Sequence, residues 1–265
     1  MKFADLLAAV RQHPEAVVIP GEWAQGRAGY GGLVAALLFE ALQAKVGPGR
    51  PVRSLAITFV APAPLEAPIR FDVEMLREGK SVVSLLGRAV AEGGTVTLMQ
   101  ASFGAPRESA IDVPALPAVE LKPLAESTAL PYVKGVTPEY IRHLDMRWGR
   151  GGLPFTGGSG RQMGGWVRLR DETAAAPVTE AHLLALVDAW PPAVLPHLRH
   201  PAPGSTLAWT LEFVQPLAAL TTLDWCRYCA TIEHARDGYG HTSAMLWTEA
   251  GELVAISRQT VTVFG

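Results

Sequence analysis

A strand pattern that occurs twice constrains the fold of this chain more than any other feature. From Val52 onward, apolar and polar residues alternate through four segments, the last three separated by glycine-containing breaks, and a similar succession begins at Ser205. Alternation with a period of two predicts half-buried antiparallel strands. Each set of strands follows an apolar segment with helical spacing, at 31–46 and at 179–190. The order of one helix and then four strands therefore occurs twice.

Shared short motifs support an internal duplication. "ITFVAP" matches "LEFVQP", "REG" matches "RDG" and "EGGTV" matches "AGELV", in the same order in both halves. Repeated motifs in a fixed order are typical of repeated structural units. We therefore expect an α+β double hotdog, with two tandem helix-on-antiparallel-sheet repeats at 1–105 and 136–265. The proline-rich segment 106–135 is predicted to link them, and 140–148 and 162–169 are predicted as short strands that begin the second repeat.

Composition narrows the range of partners. The 265 residues suffice for one large domain or two of about 130 residues. Hydrophobic residues make up 49% of the chain, which favours buried sheet and a subunit interface, and a homodimer or higher homo-oligomer is the expected assembly. A net charge of -2 gives no field that would attract nucleic acid. Charges interrupt the N-terminal apolar residues, and no apolar run is long enough for a membrane helix, so we expect a cytoplasmic protein without a membrane partner.

Two glycine-rich segments resemble phosphate-binding loops but lack required residues. In "GYGGLVAALLFEAL", Val34 stands where a dinucleotide fingerprint has its third glycine. In "EGKSV", the position of the first glycine of a P-loop is occupied by Glu74, and the segment is predicted to be a hairpin turn. "GGSGR" has Arg161 where a nucleophile elbow has its last glycine. We therefore expect neither a nucleotide cofactor nor a nucleophilic serine.

Possible metal ligands are also poorly placed. Cys226 and Cys229 lie in a segment that is predicted to be a strand, and residues three apart on a strand point to opposite faces. They are predicted to be packing residues. His197 and His200 have ligand-like spacing, but prolines flank them and no acidic partner is evident, which favours a surface turn. No metal and no other cofactor is expected.

Asp188 is the most informative candidate for catalysis. It lies near the C-terminal end of the apolar segment "LLALVDAW", where burial and the helix dipole both disfavour a negative charge. A buried carboxylate that needs polar partners is a candidate general base or water-orienting group. A solvated aspartate at the helix edge, or a local cap beside Pro191, is the alternative.

Gln259 and Thr206 are the next candidates. Gln259 projects from the more apolar face of the last predicted strand, so its amide needs a partner, which Asp188 or a bound water would supply; a structural amide tie is the alternative. Thr206 opens a strand whose alternation places its hydroxyl opposite the apolar side chains, so either that side faces the site or a bulge reorients it; an ordinary strand threonine is the alternative. Gly31 and Gly32 begin the first helix, where they favour either an anion or oxyanion at its free N–H groups, or close packing of the helix on the sheet.

The chain resembles the TesB-like (type II) acyl-CoA thioesterases, which have the double hotdog fold. The similarity lies in "YGGLVAALLFEAL", "FVAPAPLEAPIRFDVEMLREGKS" and the closing "LVAISRQTV". It implies acyl-CoA as substrate, a role in fatty acid metabolism, and a catalytic water held by Asp188, Thr206 and Gln259. Leu33 stands where family members often have glutamine, and Trp190-Pro191-Pro192 follows the aspartate. These departures are expected to reshape the acyl pocket.

Two other functions remain open on the sequence. A hotdog hydratase or dehydratase has a histidine five residues after its aspartate, and here that residue is Ala193, which disfavours this activity. A hotdog protein that binds acyl-CoA without turnover is the other alternative.

Overall fold

The computed structural model describes residues 1–170 and 174–264. Within these ranges the α-helices are α1 (Phe3–Gln12), α2 (Gly31–Gln43) and α3 (Glu180–Val187). The strands are β1 (Val17–Val18), β2 (Ala24–Gln25), β3 (Ala28–Gly29), β4 (Val52–Phe59), β5 (Pro68–Glu78), β6 (Val82–Ala91), β7 (Gly94–Gly104), β8 (Thr128–Ala129), β9 (Leu144–Arg150), β10 (Gln162–Leu169), β11 (Gly204–Phe213), β12 (Cys226–Arg236), β13 (Tyr239–Thr248) and β14 (Leu253–Val263). None of the described helices has the length and apolarity that crossing a membrane requires.

One antiparallel sheet unites the two halves of the chain. Among the described residues it has twelve strands in the order β1-β5-β6-β7-β4-β11-β14-β13-β12-β10-β9-β8, and β2 and β3 form a separate hairpin. The halves meet where β4 pairs with β11, with Ile57 opposite Trp209 and Leu55 opposite Leu211. Each half contributes four long strands, of which the last three form a meander and the first crosses over to pair with the last, in the orders β4-β7-β6-β5 and β11-β14-β13-β12. The α+β double hotdog predicted from the repeated pattern is confirmed.

The two central helices lie against this sheet and against each other. α2 contacts α1, α3 and strands β5, β6 and β7, and α3 contacts α2 and β10. Nearly every residue of α2 is buried, which explains why its sequence is apolar on all sides rather than on one face. The large side chains of both helices belong to one core with the inward faces of the strands. This packing fixes where the two helix ends meet.

Several element boundaries differ from those that the sequence predicts. α3 ends at Val187 with Asp188 as its C-cap, ahead of Pro191, because prolines have no N–H to continue the helical hydrogen bonds. The segment predicted as a strand from Tyr140 begins instead with a 3₁₀ helix at Glu139–His143, and β9 starts only at Leu144. The hairpin at Gly79 is confirmed, with its N–H donating to the Val82 carbonyl at 2.8 Å.

The two cysteines point to opposite faces of β12, as predicted. Cys226 belongs to the main core, whereas Cys229 packs in a second cluster with Trp247 and Leu253 beneath part of the linker, including Val119. Both thiols are free and buried. Burial, with a smaller contribution from Asp224, raises the pKa of Cys226 to about 12. Neither residue is placed to form a shared metal site.

Candidate active site

A cavity of about 350 Å³ lies where the two repeats meet. Its walls come from the β2–β3 hairpin, the start of α2, the end of β4 and the loop after it, the residues after α3, and strands β11 and β14. Asp188, Thr206, Gln259 and Gly31 all line this cavity, so four of the five site residues predicted from the sequence converge there. Gly32 lies directly behind the wall, next to Asp188.

Asp188 is held by polar groups from two other elements. The Gln259 amide Nε2 donates to Asp188 Oδ1 at 3.1 Å. The main-chain N–H of Gly32, at the start of α2, also interacts with the carboxylate. Asp188 is partly exposed, on the side that lines the cavity, and enclosed by protein elsewhere. Burial raises the pKa of Asp188 to about 7, while the Gln259 and Gly32 interactions oppose that rise.

The glycine pair permits the close approach of α2 to this carboxylate. A Cβ atom on Gly31 would lie 3.0 Å from Asp188 Oδ2 and 3.4 Å from the Phe59 ring. One on Gly32 would lie 2.9 Å from Asp188 Cβ. The positive end of α2 therefore faces a carboxylate that the C-terminal end of α3 disfavours. The glycines thus serve helix packing and anion contact together.

A β-bulge brings Thr206 into the cavity. In the pairing of β11 with β14, Thr206 lies opposite Val261 and Trp209 lies opposite Gln259, with a register shift at Leu207. The extra residue turns Thr206 onto the same sheet face as Gln259. This is the reorientation that the sequence left open for Thr206. In the described part of the chain no hydrogen bond joins the Thr206 hydroxyl to Asp188 or Gln259.

Two tyrosines behind Asp188 were not identified from the sequence. The Tyr30 hydroxyl donates to the Ala185 carbonyl at 2.5 Å, and the Tyr140 hydroxyl donates to the Ala189 carbonyl at 3.0 Å. The two rings stack with centroids 4.0 Å apart. Tyr30 directly precedes the glycine pair, and this position beside two candidate site residues is the sequence feature that points to it. Tyr140 is far from the other site residues in the chain and carries no such signal.

The departures from the family pattern have different locations. Trp190 and Pro192 line the cavity, and the Trp190 ring stacks on Tyr228 with centroids 5.0 Å apart. Leu33 is fully buried and belongs to the core. Only the residues after Asp188 therefore shape the cavity wall directly.

The histidine pair lies away from these residues. His197 Nε2 lies 2.9 Å from the Gly160 carbonyl, and His200 is exposed. Within the described ranges, no three His, Cys, Asp or Glu side chains are close enough to hold a metal ion.

Comparison with known families matches both halves of the chain. The family described as "Acyl-CoA thioesterase N-terminal domain" matches residues 19–104. The family described as "Acyl-CoA thioesterase C-terminal domain" matches residues 118–263, which is more than half of the chain. No curated protein matches the sequence.

Solved structures share the fold at low sequence identity. A hot dog fold protein of unknown function from Alicyclobacillus acidocaldarius is 24% identical, with a TM-score of 0.79 over 94% of this chain and 92% of that one. The acyl-CoA thioesterase II TesB2 of Mycobacterium marinum is also 24% identical, with a TM-score of 0.73 and the same coverage. The tesB protein of Mycobacterium avium subspecies paratuberculosis is 18% identical, with a TM-score of 0.74 over 98% of this chain and all of that one. On the family matches to both halves, the chain belongs to the acyl-CoA thioesterase family that these two domains define.

Proposed function

We propose that the protein hydrolyses acyl-CoA thioesters to a free acid and CoA, using water activated at Asp188. The observation that carries this proposal is the hydrogen bond of Asp188 to Gln259 at the wall of a cavity between the repeats. A carboxylate whose pKa burial raises to about 7 is matched to proton transfer near neutral pH. The family membership gives thioester hydrolysis as the general reaction.

In the proposed mechanism, Asp188 accepts a proton from water as the water oxygen attacks the thioester carbonyl carbon. The Gln259 side chain donates one amide hydrogen to Asp188. The Oε1 atom of Gln259 then accepts a hydrogen bond from the water. Thr206 is the second group that orients the water, from the neighbouring strand. The tetrahedral intermediate then loses the thiolate of CoA as the C–S bond breaks, and protonated Asp188 returns the proton to sulfur. No covalent enzyme intermediate is required.

The start of α2 supplies the oxyanion site in this mechanism. The first N–H groups of a helix have no partner within the helix and attract negative charge. Because the Gly32 N–H interacts with Asp188, the Gly31 N–H is the better donor for the oxyanion. Gly31 also lines the cavity, whereas Gly32 lies behind it.

An assay of thiol release tests the proposal. The purified protein is presented with short, medium, long and aromatic acyl-CoA substrates, and acyl-CoA binding is measured in parallel. We expect turnover of at least one class, and a loss of turnover by a factor of about 100 to 10,000 in Asp188→Asn. Asp72→Asn, at an exposed side chain of β5, is the matched control and is expected to retain turnover.

Binding without thiol release would identify a non-catalytic acyl-CoA-binding protein. Near wild-type turnover in Asp188→Asn would remove this residue from the mechanism.

A further inference from the structure

The backbone around Asp188 lacks the donors that usually complete a helix end. The last carbonyls of an α-helix have no partner within the helix. The Asp188 N–H bonds to the Leu184 carbonyl at 3.2 Å, but Pro191 and Pro192 follow shortly after and have no N–H to offer. The carbonyls on either side of Asp188 therefore need donors from elsewhere, because unpaired buried carbonyls are unfavourable.

Two tyrosine hydroxyls supply those donors. Tyr30, just before α2, bonds to the Ala185 carbonyl one turn before Asp188, and Tyr140, in the 3₁₀ helix before β9, bonds to the Ala189 carbonyl one residue after it. Tyr30 is fully buried and Tyr140 is 3% exposed. Their rings are nearly parallel, with an interplanar angle of 4°. The turn that carries Asp188 is thus fixed from both sides by a rigid pair.

We propose that Tyr30 and Tyr140 are positioning residues, whose hydroxyls fix the Ala185 and Ala189 carbonyls and so hold the Asp188 carboxylate where it accepts the proton of the attacking water. This inference rests on the proposed hydrolysis of acyl-CoA. Neither tyrosine is among the described residues that line the cavity, so neither contacts the substrate directly. Both act through the main chain of the residue pair that brackets Asp188.

The surroundings of the tyrosines agree with a role as neutral donors. Burial raises the pKa of both phenols, and the negative charge of Asp188 adds to that rise, so both keep their hydroxyl hydrogens. Tyr228, on β12, is the third titratable group that faces Asp188 and behaves in the same way. Gly32 makes room for this arrangement, because a Cβ there would lie 2.6 Å from the Tyr30 hydroxyl oxygen.

Removal of single hydroxyl oxygens tests the proposal. Tyr30→Phe and Tyr140→Phe keep the stacked rings and remove only the hydrogen bonds, and Tyr239→Phe, at an exposed tyrosine, is the matched control. Turnover is measured at pH 9, above the pKa of Asp188 of about 7. At this pH Asp188 is ionised in every variant, so differences in its ionisation do not affect the comparison of kcat. We expect kcat to fall about tenfold in each site variant while KM stays within about twofold, because small displacements of a catalytic group strongly slow the reaction. The control is expected to keep the wild-type kcat.

A double-mutant cycle separates positioning from a general structural role. In an Asp188→Asn background, Tyr30→Phe is expected to cause no further loss of kcat, because the tyrosine acts through the missing carboxylate. Thermal unfolding of every variant establishes that the proteins compared are folded. Unchanged kcat in both single variants, or losses that multiply with that of Asp188→Asn, would overturn the inference. If instead the wild-type protein releases no thiol, or Asp188→Asn retains full turnover, the proposed mechanism itself fails and the inference fails with it.

Discussion

Asp188 lies between two opposed helix ends, and this placement determines its chemistry. The C-terminal end of α3 and the surrounding apolar side chains disfavour its charge, whereas the N-terminal end of α2 and the Gln259 amide favour it. Burial is the largest of these influences, so the pKa rises despite two opposing hydrogen-bond donors. The result is a carboxylate that ionises near neutral pH rather than near its usual value of about 3.9.

The pH dependence of hydrolysis follows from that placement. A general base acts only when it is deprotonated, so kcat/KM is expected to rise about tenfold per pH unit at acidic pH and to level off above the pKa of about 7. The measurement is the pH profile of kcat/KM with a readily hydrolysed acyl-CoA. The residual activity of Asp188→Asn is expected to lack this acidic limb. A limb with its midpoint near pH 4 would show that Asp188 is ionised much more easily than its burial implies.

Removal of the Gln259 amide is expected to move this limb to higher pH. The amide hydrogen bond at 3.1 Å lowers the pKa of Asp188, whereas burial raises it. Gln259→Leu removes that hydrogen bond, so the pKa of Asp188 is expected to rise further above 7. The kcat plateau is also expected to fall, because the water loses an orienting group. Gln100→Leu, at an exposed position of β7, is the control with the same chemical change. A limb that stays in place or shifts to lower pH would contradict the direction of this effect.

Among the elements, strands and central helices were more predictable than their ends. Period-two alternation and the repeated motifs predict the strands of both sets, because the buried face of a sheet imposes that pattern locally, but not the pairing of β4 with β7 or of β11 with β14. The register shift at Leu207 turns Thr206 inward and depends on the pairing of β11 with β14. The alternation of residues within one strand does not reveal such a shift. α1 is not among the predicted elements, although Phe3, Leu6, Leu7 and Val10 have helical spacing and are all buried. Contacts between distant segments, such as Tyr140 with Ala189, left no local pattern.

The start of α2 tolerates no side chain at its second position. A Cβ at Gly32 would lie 2.6 Å from the Tyr30 hydroxyl oxygen and 2.9 Å from Asp188 Cβ, and neither group is free to move because both are held by hydrogen bonds. Gly32→Ala is therefore expected to destabilise the fold by about 1–3 kcal/mol, which exceeds the gain in helix propensity of up to about 1 kcal/mol.

Urea unfolding measures this effect against a matched glycine. A Cβ at Gly47 would have no heavy atom within 4 Å beyond its chain neighbours, so Gly47→Ala is expected to change the free energy of unfolding by less than about 0.5 kcal/mol. Thiol release by Gly32→Ala is also expected to fall, because the clash displaces Asp188. Equal unfolding free energies for the two variants would show that α2 shifts freely at its start.

Across the full chain, the duplication produces two carboxylates in different environments. "FEAL" at 39–42 and "VDAW" at 187–190 occupy similar places near the ends of the two central helices. Glu40 in the first is 6% exposed and pairs with Arg11 of α1, with Arg11 Nε 2.7 Å from Glu40 Oε2. Asp188 in the second has uncharged partners and lines a cavity. Glu40 therefore lies in an ion pair and is not among the described residues that line the cavity, and the proposed mechanism takes its base from the second repeat.

The cavity also requires both repeats. Gly31 and Phe59 come from the first half, and Asp188, Thr206 and Gln259 come from the second. The first repeat therefore contributes the helix start and part of the cavity wall, while the second contributes the residues that the proposed mechanism uses as base and as water-orienting groups.

Glu40→Gln tests whether the first carboxylate takes part in hydrolysis. The substitution keeps an oxygen that accepts the Arg11 hydrogen bond and removes only the charge, so we expect a folded protein with kcat and KM within about twofold of wild type. Asp188→Asn, the equivalent change in the second repeat, is expected to lose most turnover in the same assay. Thermal unfolding is recorded for both, because loss of the partly buried ion pair lowers stability without touching the cavity. A loss of kcat in Glu40→Gln comparable to that in Asp188→Asn, with the fold intact, would mean that both repeats supply a base and that the chain carries two sites.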